Sequence, residues 1–135
     1  VGSEMCIRDR KDKDIILLVK SNHIENGELC GFYWQNKLLL KRIIGQPGDV
    51  IDMDVNGVVS VNGEVLDEPY VDALTVGECD IRFPYQVPEN RYFVLGDHRS
   101  VSIDSRSSVI GCVEKSQVVG RVFLRIWPLN RLAVF

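Results

Sequence analysis

Two Asn-Gly dipeptides, Asn56-Gly57 and Asn62-Gly63, lie six residues apart in VIDMDVNGVVSVNGEVL, residues 50–66. Asn-Gly is the pair that most readily adopts two successive positive-φ residues, and that turn carries the twist of paired antiparallel strands. The runs beside the turns are too short for helices and rich in β-branched residues, which suit a pleated surface. The spacing therefore predicts a tight antiparallel meander. No other stretch holds a helical period over ten residues. The expected fold is all-β, a barrel-like set of many short antiparallel strands.

Further strands are predicted at IILLVK (15–20), LCGFYW (29–34), LLLKRIIG (38–45), RYFVLG (91–96), VIGCV (109–113) and VVGRVFLRIW (118–127). A turn is expected at Asn36-Lys37, and Pro47-Gly48 ends the third of the chain's strands. Residues 1–14 are polar and without period. Residues 67–90, rich in Pro, Asp and Glu, read as an excursion from the sheet, and 99–108 as an irregular loop.

A chain of 135 residues suffices for one domain with a core, and 45% apolar with 26% charged residues is a globular composition. The net charge of −3, with no basic stripe interleaved with aromatics, argues against a nucleic-acid partner. Cys6, Cys30, Cys79 and Cys112 are far apart, form no C-x-x-C and are expected as free, mostly buried thiols. The acidic residues fall in no metal-binding spacing, so no metal or cofactor is implied. No apolar run approaches the roughly 18 residues of a spanning helix. VGSEMCIRDRKDKD, at the start, lacks the apolar stretch of a signal peptide.

Two places hold chemistry-bearing residues. Lys41 stands inside an apolar run and shares a strand face with Leu39 and Ile43. Pointing inward, its amine would lose water, its pKa would fall, and a neutral amine could take a proton from a hydroxyl. Pointing outward, its stem would cover apolar surface while its head reached water. The second place is GDHRSVSIDSR, Gly96 to Arg106. Its Asp97-x-Arg99 and Asp104-x-Arg106 pairs could pin a loop by charged hydrogen bonds, and one of its serines could hold a lysine amine; equally, the serines could cap their own backbone. His98 reads as a loop hydrogen-bonder, and neither it nor His23 suggests a histidine triad.

LLLKRIIGQPGD, YFVLGDHRSVSIDSR, VNGEVLDEPYV and GRVFLRIWPLNR together resemble the type I signal peptidases, a serine-lysine peptidase family. The likeness runs from Asp14 to the C-terminus, about nine tenths of the chain. It implies the all-β fold shared by signal peptidases and self-cleaving repressors. It implies a serine endopeptidase that removes signal peptides from exported preproteins at the outer face of the cell membrane, held there by an N-terminal anchor. On this resemblance Lys41 is the general base and Ser102 orients its amine. Asp104 and Arg106 hold the loop beside it, and Asp97 and Arg99 form the first half of the same motif. Gly96 permits a tight turn, and Arg42 supports the strand. His98 stands where the family usually has Asn. The strands LCGFYW and LLLKRIIG are candidates to line the groove, and Phe32, Tyr33 or Trp34 to lie against a membrane surface.

The front departs from the family. Its nucleophilic serine belongs to a Ser-Met-x-Pro-Thr segment, and counting back from KDKDIILLVK puts that serine at Met5. Ser3 lacks the motif and Cys6 is no replacement. Residues 1–13 read as an unmatched, foreign or disordered head, and 14–135 as the catalytic domain without its nucleophile. Little or no hydrolysis is then expected of the chain alone. The alternatives are a self-cleaving repressor-type protease, which the paired Asp-x-Arg motif opposes, and a non-catalytic β-domain that binds partners.

Overall fold

The structure, a computed structural model, describes residues 4–8, 15–20, 23–127 and 133–134. The strands in chain order are β1 (Glu4–Arg8), β2 (Ile15–Val19), β3 (Leu29–Trp34), β4 (Lys37–Gly45), β5 (Val50–Met53), β6 (Val59–Val61), β7 (Glu64–Val65), β8 (Tyr85–Gln86), β9 (Arg91–Leu95), β10 (Val113–Glu114), β11 (Val118–Trp127) and β12 (Ala133–Val134). The larger sheet has the order β1-β2-β11-β3-β4-β9-β10, with β12 beside β11; the smaller has β7-β6-β5-β8. Every pairing is antiparallel. The fold is thus all-β as expected, with two antiparallel sheets that, among the described residues, do not close into a true barrel. Among the described residues the only helical piece is a 3-10 turn, Lys115–Gln117.

The meander forms where the Asn-Gly pairs lie, but the two turns differ. Asn62 (φ 52°) and Gly63 (φ 86°) make the mirror-image two-residue turn between β6 and β7. At the first pair only Gly57 has positive φ. There the Asp54 carboxylate accepts from the backbone N–H of Asn56 (2.9 Å) and Val58 (3.0 Å), stabilising a longer connection. The β3–β4 turn sits one residue earlier than expected, on Gln35 (φ 49°) and Asn36 (φ 62°).

Three strand expectations need correction. Within 67–90, expected as an excursion from the sheet, Tyr85–Gln86 form β8 and pair with β5. Residues 4–8, read as without period, form β1 against β2. VIGCV is mostly turn: Gly111 donates to the Ser107 carbonyl (2.8 Å), and pairing begins only at Val113. Val109 is exposed while Cys112 and Val113 are buried, so this apolar run closes a loop instead of spanning a sheet.

The core explains why RYFVL is almost wholly apolar. Along β9, Tyr92 and Val94 pack with Ile24, Cys30, Phe32 and Ile43 on one face. Phe93 and Leu95 pack with Ile44, Ile51, Met53 and Val59 on the other, under the smaller sheet. A strand covered on both faces has no solvent side to make polar. Phe32, a candidate for membrane contact, is therefore core (1% exposed), whereas its neighbour Tyr33 is half exposed. Cys30, Cys79 and Cys112 are free; burial raises the Cys30 thiol to about 12 and lifts that of Cys112, keeping both protonated.

This doubly covered pair also positions the site. β4 and β9 align Arg42 with Leu95 and Ile43 with Val94. One further step along the same register brings Lys41 beside Gly96, where the polar loop leaves the sheet.

Candidate active site

Lys41 lies near the middle of β4 and lines a groove of about 840 Å³. Leu39 and Ile43, two positions to either side, pack into the same core cluster, so the strand face they share with Lys41 is apolar. Lys41 Nζ donates to Ser102 Oγ at 2.9 Å. Burial pushes the lysine pKa below its ordinary value; the Asp104 and Asp97 carboxylates oppose that shift and the Arg106 guanidinium reinforces it.

Ser102 is fixed from behind. Its hydroxyl donates to Asp104 Oδ2 (3.0 Å), so it accepts from the lysine and gives to the carboxylate. Asp104 and Arg106 are fully buried and paired, Nε to Oδ1 at 2.8 Å and Nη2 to Oδ2 at 2.9 Å. The Asp104 carboxylate also accepts from the backbone N–H of Gly96 (2.9 Å) and of Arg106 (3.1 Å). Arg106 spends its remaining N–H groups on the carbonyls of Val76, Arg99 and Ser102. Every guanidinium donor has an acceptor, the condition for offsetting the desolvation cost of a buried charge.

The other Asp-x-Arg pair does not form. Asp97 takes Arg42 in a two-point contact, Nε to Oδ1 at 2.9 Å and Nη2 to Oδ2 at 2.7 Å. Arg99, 1% exposed, pairs instead with Glu68 through both terminal nitrogens, and its Nε donates to the Gly96 carbonyl (2.8 Å). The expected pairing of near neighbours gives way to long-range partners because the loop folds back over the 67–77 excursion. Arg42 also lies 3.9 Å above the centre of the Tyr70 ring.

Gly96 has a different use from the turn expected of it. Its φ is not positive; the need for glycine is steric, because a Cβ there would overlap the Ser102 side chain and crowd Lys41 Nζ. His98 is exposed at the groove and meets Asp72 at 3.3 Å. Ser3 lies outside the described residues; Met5 and Cys6 are described only as backbone of β1.

The groove is bordered by Leu39 and Leu40 of β4 and by Val101, Ile103, Val109 and Ile110 of the loop. Trp34 alone of the LCGFYW strand reaches it. Burial favours the neutral form of the Lys41 amine, and a neutral amine braced by a hydroxyl, in a groove lined by apolar and polar side chains, can accept a proton from a hydroxyl brought in beside it. Among the described residues no cluster of His, Cys, Asp or Glu could hold a metal ion.

Glu68 and Tyr70 are the residues that sequence reasoning passed over. They sit in an acidic, Pro-containing stretch whose composition suggests solvent; that stretch falls within VNGEVLDEPYV, one of the segments that carry the family resemblance, which assigned neither residue a role.

Comparisons with known proteins agree in kind. The family model described as "Signal peptidase, peptidase S26" matches residues 5–127. "Signal peptidase I" of Bacillus amyloliquefaciens is 32% identical over 139 residues, covering 96% of this chain and 73% of that protein. "Probable signal peptidase I-2" of Synechocystis sp. is 42% identical over 95 residues, which are 70% of this chain; the chain spans 41% of that protein's length. A crystal structure of a signal peptidase I from Enterococcus faecalis V583 superposes with a TM-score of 0.61 at 27% identity, covering 74% of this chain and 97% of that one.

Proposed function

The chain belongs to the signal peptidase family, peptidase S26, and from that membership we propose that it carries the general-base half of a serine endopeptidase that removes signal peptides from exported preproteins. The observation that supports this reading is the 2.9 Å contact between Lys41 Nζ and Ser102 Oγ in a partly buried site. A neutral Lys41 gives one hydrogen to Ser102 and keeps its lone pair for the nucleophile. The lysine takes the proton of the attacking serine hydroxyl as its oxygen bonds to the scissile carbonyl. It then returns that proton to the departing amine as the C–N bond breaks. Water, deprotonated by the same amine, releases the acyl-enzyme.

An extended substrate laid along the groove would point alternate side chains at the walls formed by Leu39, Leu40 and Ile103. We assign residues 14–135 to the catalytic domain and residues 1–13 to a head that does not supply the nucleophile, since Met5 stands at the serine's place. The whole protein would work at the outer face of the cell membrane, held by an anchor that precedes this domain.

The test is a graft. Residues 1–13 are replaced by a segment carrying Ser-Met-x-Pro-Thr in register with β2, and cleavage is measured on a peptide with Ala at the first and third positions before the cut. Cleavage that vanishes on Lys41→Met is expected. A graft that does not cut, or that cuts equally well after Lys41→Met, overturns the reading.

A further inference from the structure

The two halves of the site belong to distant parts of the chain: Lys41 and Arg42 to β4, and Gly96 to Arg106 to the loop after β9. A shift of a few tenths of an ångström between them would lengthen the Lys41–Ser102 contact. Asp104 and Arg106 tie the loop to itself and, through the Val76 carbonyl, to the 67–77 excursion, which does not set its distance from β4. Among the side chains described, Asp97 spans the gap directly, through Arg42.

A second link runs through a segment that touches neither reacting group. Glu68 and Tyr70 flank Pro69, whose ring fixes its own φ. The Tyr70 hydroxyl donates to Glu68 Oε2 at 3.0 Å. Burial and the Glu68 carboxylate both push the tyrosine pKa up, so the phenol stays a donor. The Glu68 carboxylate, 3% exposed, holds the fully buried Arg99 side chain, whose Nε holds the Gly96 carbonyl. Gly96 backs directly onto Ser102. On the other side, the Tyr70 ring lies under Arg42, the residue after Lys41, and Arg42 closes the circuit onto Asp97. Neither Glu68 nor Tyr70 lines the groove.

We propose that Glu68 and Tyr70 form a positioning clamp that holds the Lys41 strand and the Ser102 loop in register, acting on the reacting groups through Arg42 and Arg99. The clamp rests on the reading of Lys41 as general base. Its segment enters from a 67–77 excursion that is otherwise mostly exposed, so a loop that looks like an insertion between strands is part of the site's frame. Gly77 closes the same excursion against Arg99 and Arg106, where a side chain would collide with both.

The test reads the Lys41 amine directly. Lysine labelled with 13C at Cε is incorporated, the Lys41 resonance is assigned by its loss in Lys41→Met, and its titration is followed by NMR. Methyl signals of Ile51 and Val59, in the smaller sheet, report whether the fold is intact. Glu68→Gln removes the carboxylate's charge; Tyr70→Leu removes the ring and the hydroxyl but leaves every ion pair whole. Glu68 is not among the charges acting on Lys41, so a change in titration reports geometry and water entry. Loosening the clamp admits water to the amine, and both variants are expected to raise the Lys41 pKa, by about 1 unit, with Ile51 and Val59 unmoved. Should Glu68→Gln fail to fold, because Arg99 is left buried without its counterion, Tyr70→Leu alone decides. A depressed Lys41 pKa that the folded variants leave unchanged overturns the clamp and spares the general base. An ordinary lysine titration in the unsubstituted chain overturns both.

Discussion

Gly96 and Ser102 are packed so closely that no side chain fits between them: a methyl group on Gly96 would occupy the space of the Ser102 hydroxyl. The backbone at Gly96 is itself held at both ends, its N–H by Asp104 and its carbonyl by Arg99. It cannot retreat. Gly96→Ala must therefore rotate Ser102 away from Lys41 or Asp104. We expect a loss of about 1–3 kcal/mol in urea unfolding, the cost of overpacking, together with a changed Lys41 titration. A variant of unaltered stability in which Lys41 titrates as before would show that the space is not tight.

Asp104→Asn tests the buried pair. Arg106 would keep its carbonyl partners but lose the opposite charge, with both side chains fully buried. Breaking such a pair from one side costs about 3–5 kcal/mol, readable as a drop in the urea midpoint. Glu114→Gln, which breaks the half-exposed bridge to Arg91, should cost about 0–1 kcal/mol in the same experiment. A second readout has its own sign. Asp104 is the largest influence raising the Lys41 pKa, so its removal should move the lysine titration to lower pH. Equal effects of the two substitutions on stability would mean that Arg106 finds water.

What could be read from the residues follows the range of the interaction. Asn62-Gly63 is a local signal, since the turn is made by the two residues that name it, and the small sheet forms around it. RYFVL is legible as a buried strand because burial on both faces leaves an unbroken apolar run. VIGCV offers the same run, yet Gly111 turns the chain at φ 65° and Val109 faces solvent; composition cannot tell a buried strand from the closing of a loop. The ion pairs are the least legible part. Spacing suggested Asp97 with Arg99, but a guanidinium chooses the carboxylate that the fold brings to it. For Arg99 that partner is Glu68, 31 residues away in the chain. The 61-residue separation of Lys41 and Ser102 is bridged by the β4–β9 register, which no local pattern encodes.

Gly63→Ala isolates the backbone requirement of the second turn. Nothing lies within 4 Å of where its Cβ would be, so the change meets no steric neighbour. The cost comes from the left-handed conformation alone, about 1–2 kcal/mol. We expect a lowered melting temperature with the Lys41 titration unchanged, because the smaller sheet's outer turn is remote from the groove. A Gly63→Ala protein as stable as the parent would mean that the turn relaxes to another geometry.

The depressed lysine pKa makes a prediction about stability against pH whose sign is opposite to that of a lysine held in a salt bridge. In the unfolded chain Lys41 titrates near its usual value, about 10.4; in the folded chain it binds its proton less tightly. Above the unfolded pKa both states are neutral and the burial of Lys41 carries no charge penalty. As pH falls below that value the unfolded state takes up a proton first, so folding stability declines until the folded pKa is passed, after which the penalty is constant. Lys41→Met has no such proton to take up. The stability of Lys41→Met minus that of the parent should therefore grow as pH is lowered from about 10.4 through the folded pKa and then level off. The Ser102 hydrogen bond lost in the variant adds an offset but no slope. Urea unfolding of both proteins at a series of pH values measures the difference. A flat difference across the alkaline range would mean that the amine is as well hydrated folded as unfolded, and the proposed role of Lys41 as proton acceptor would be lost with it.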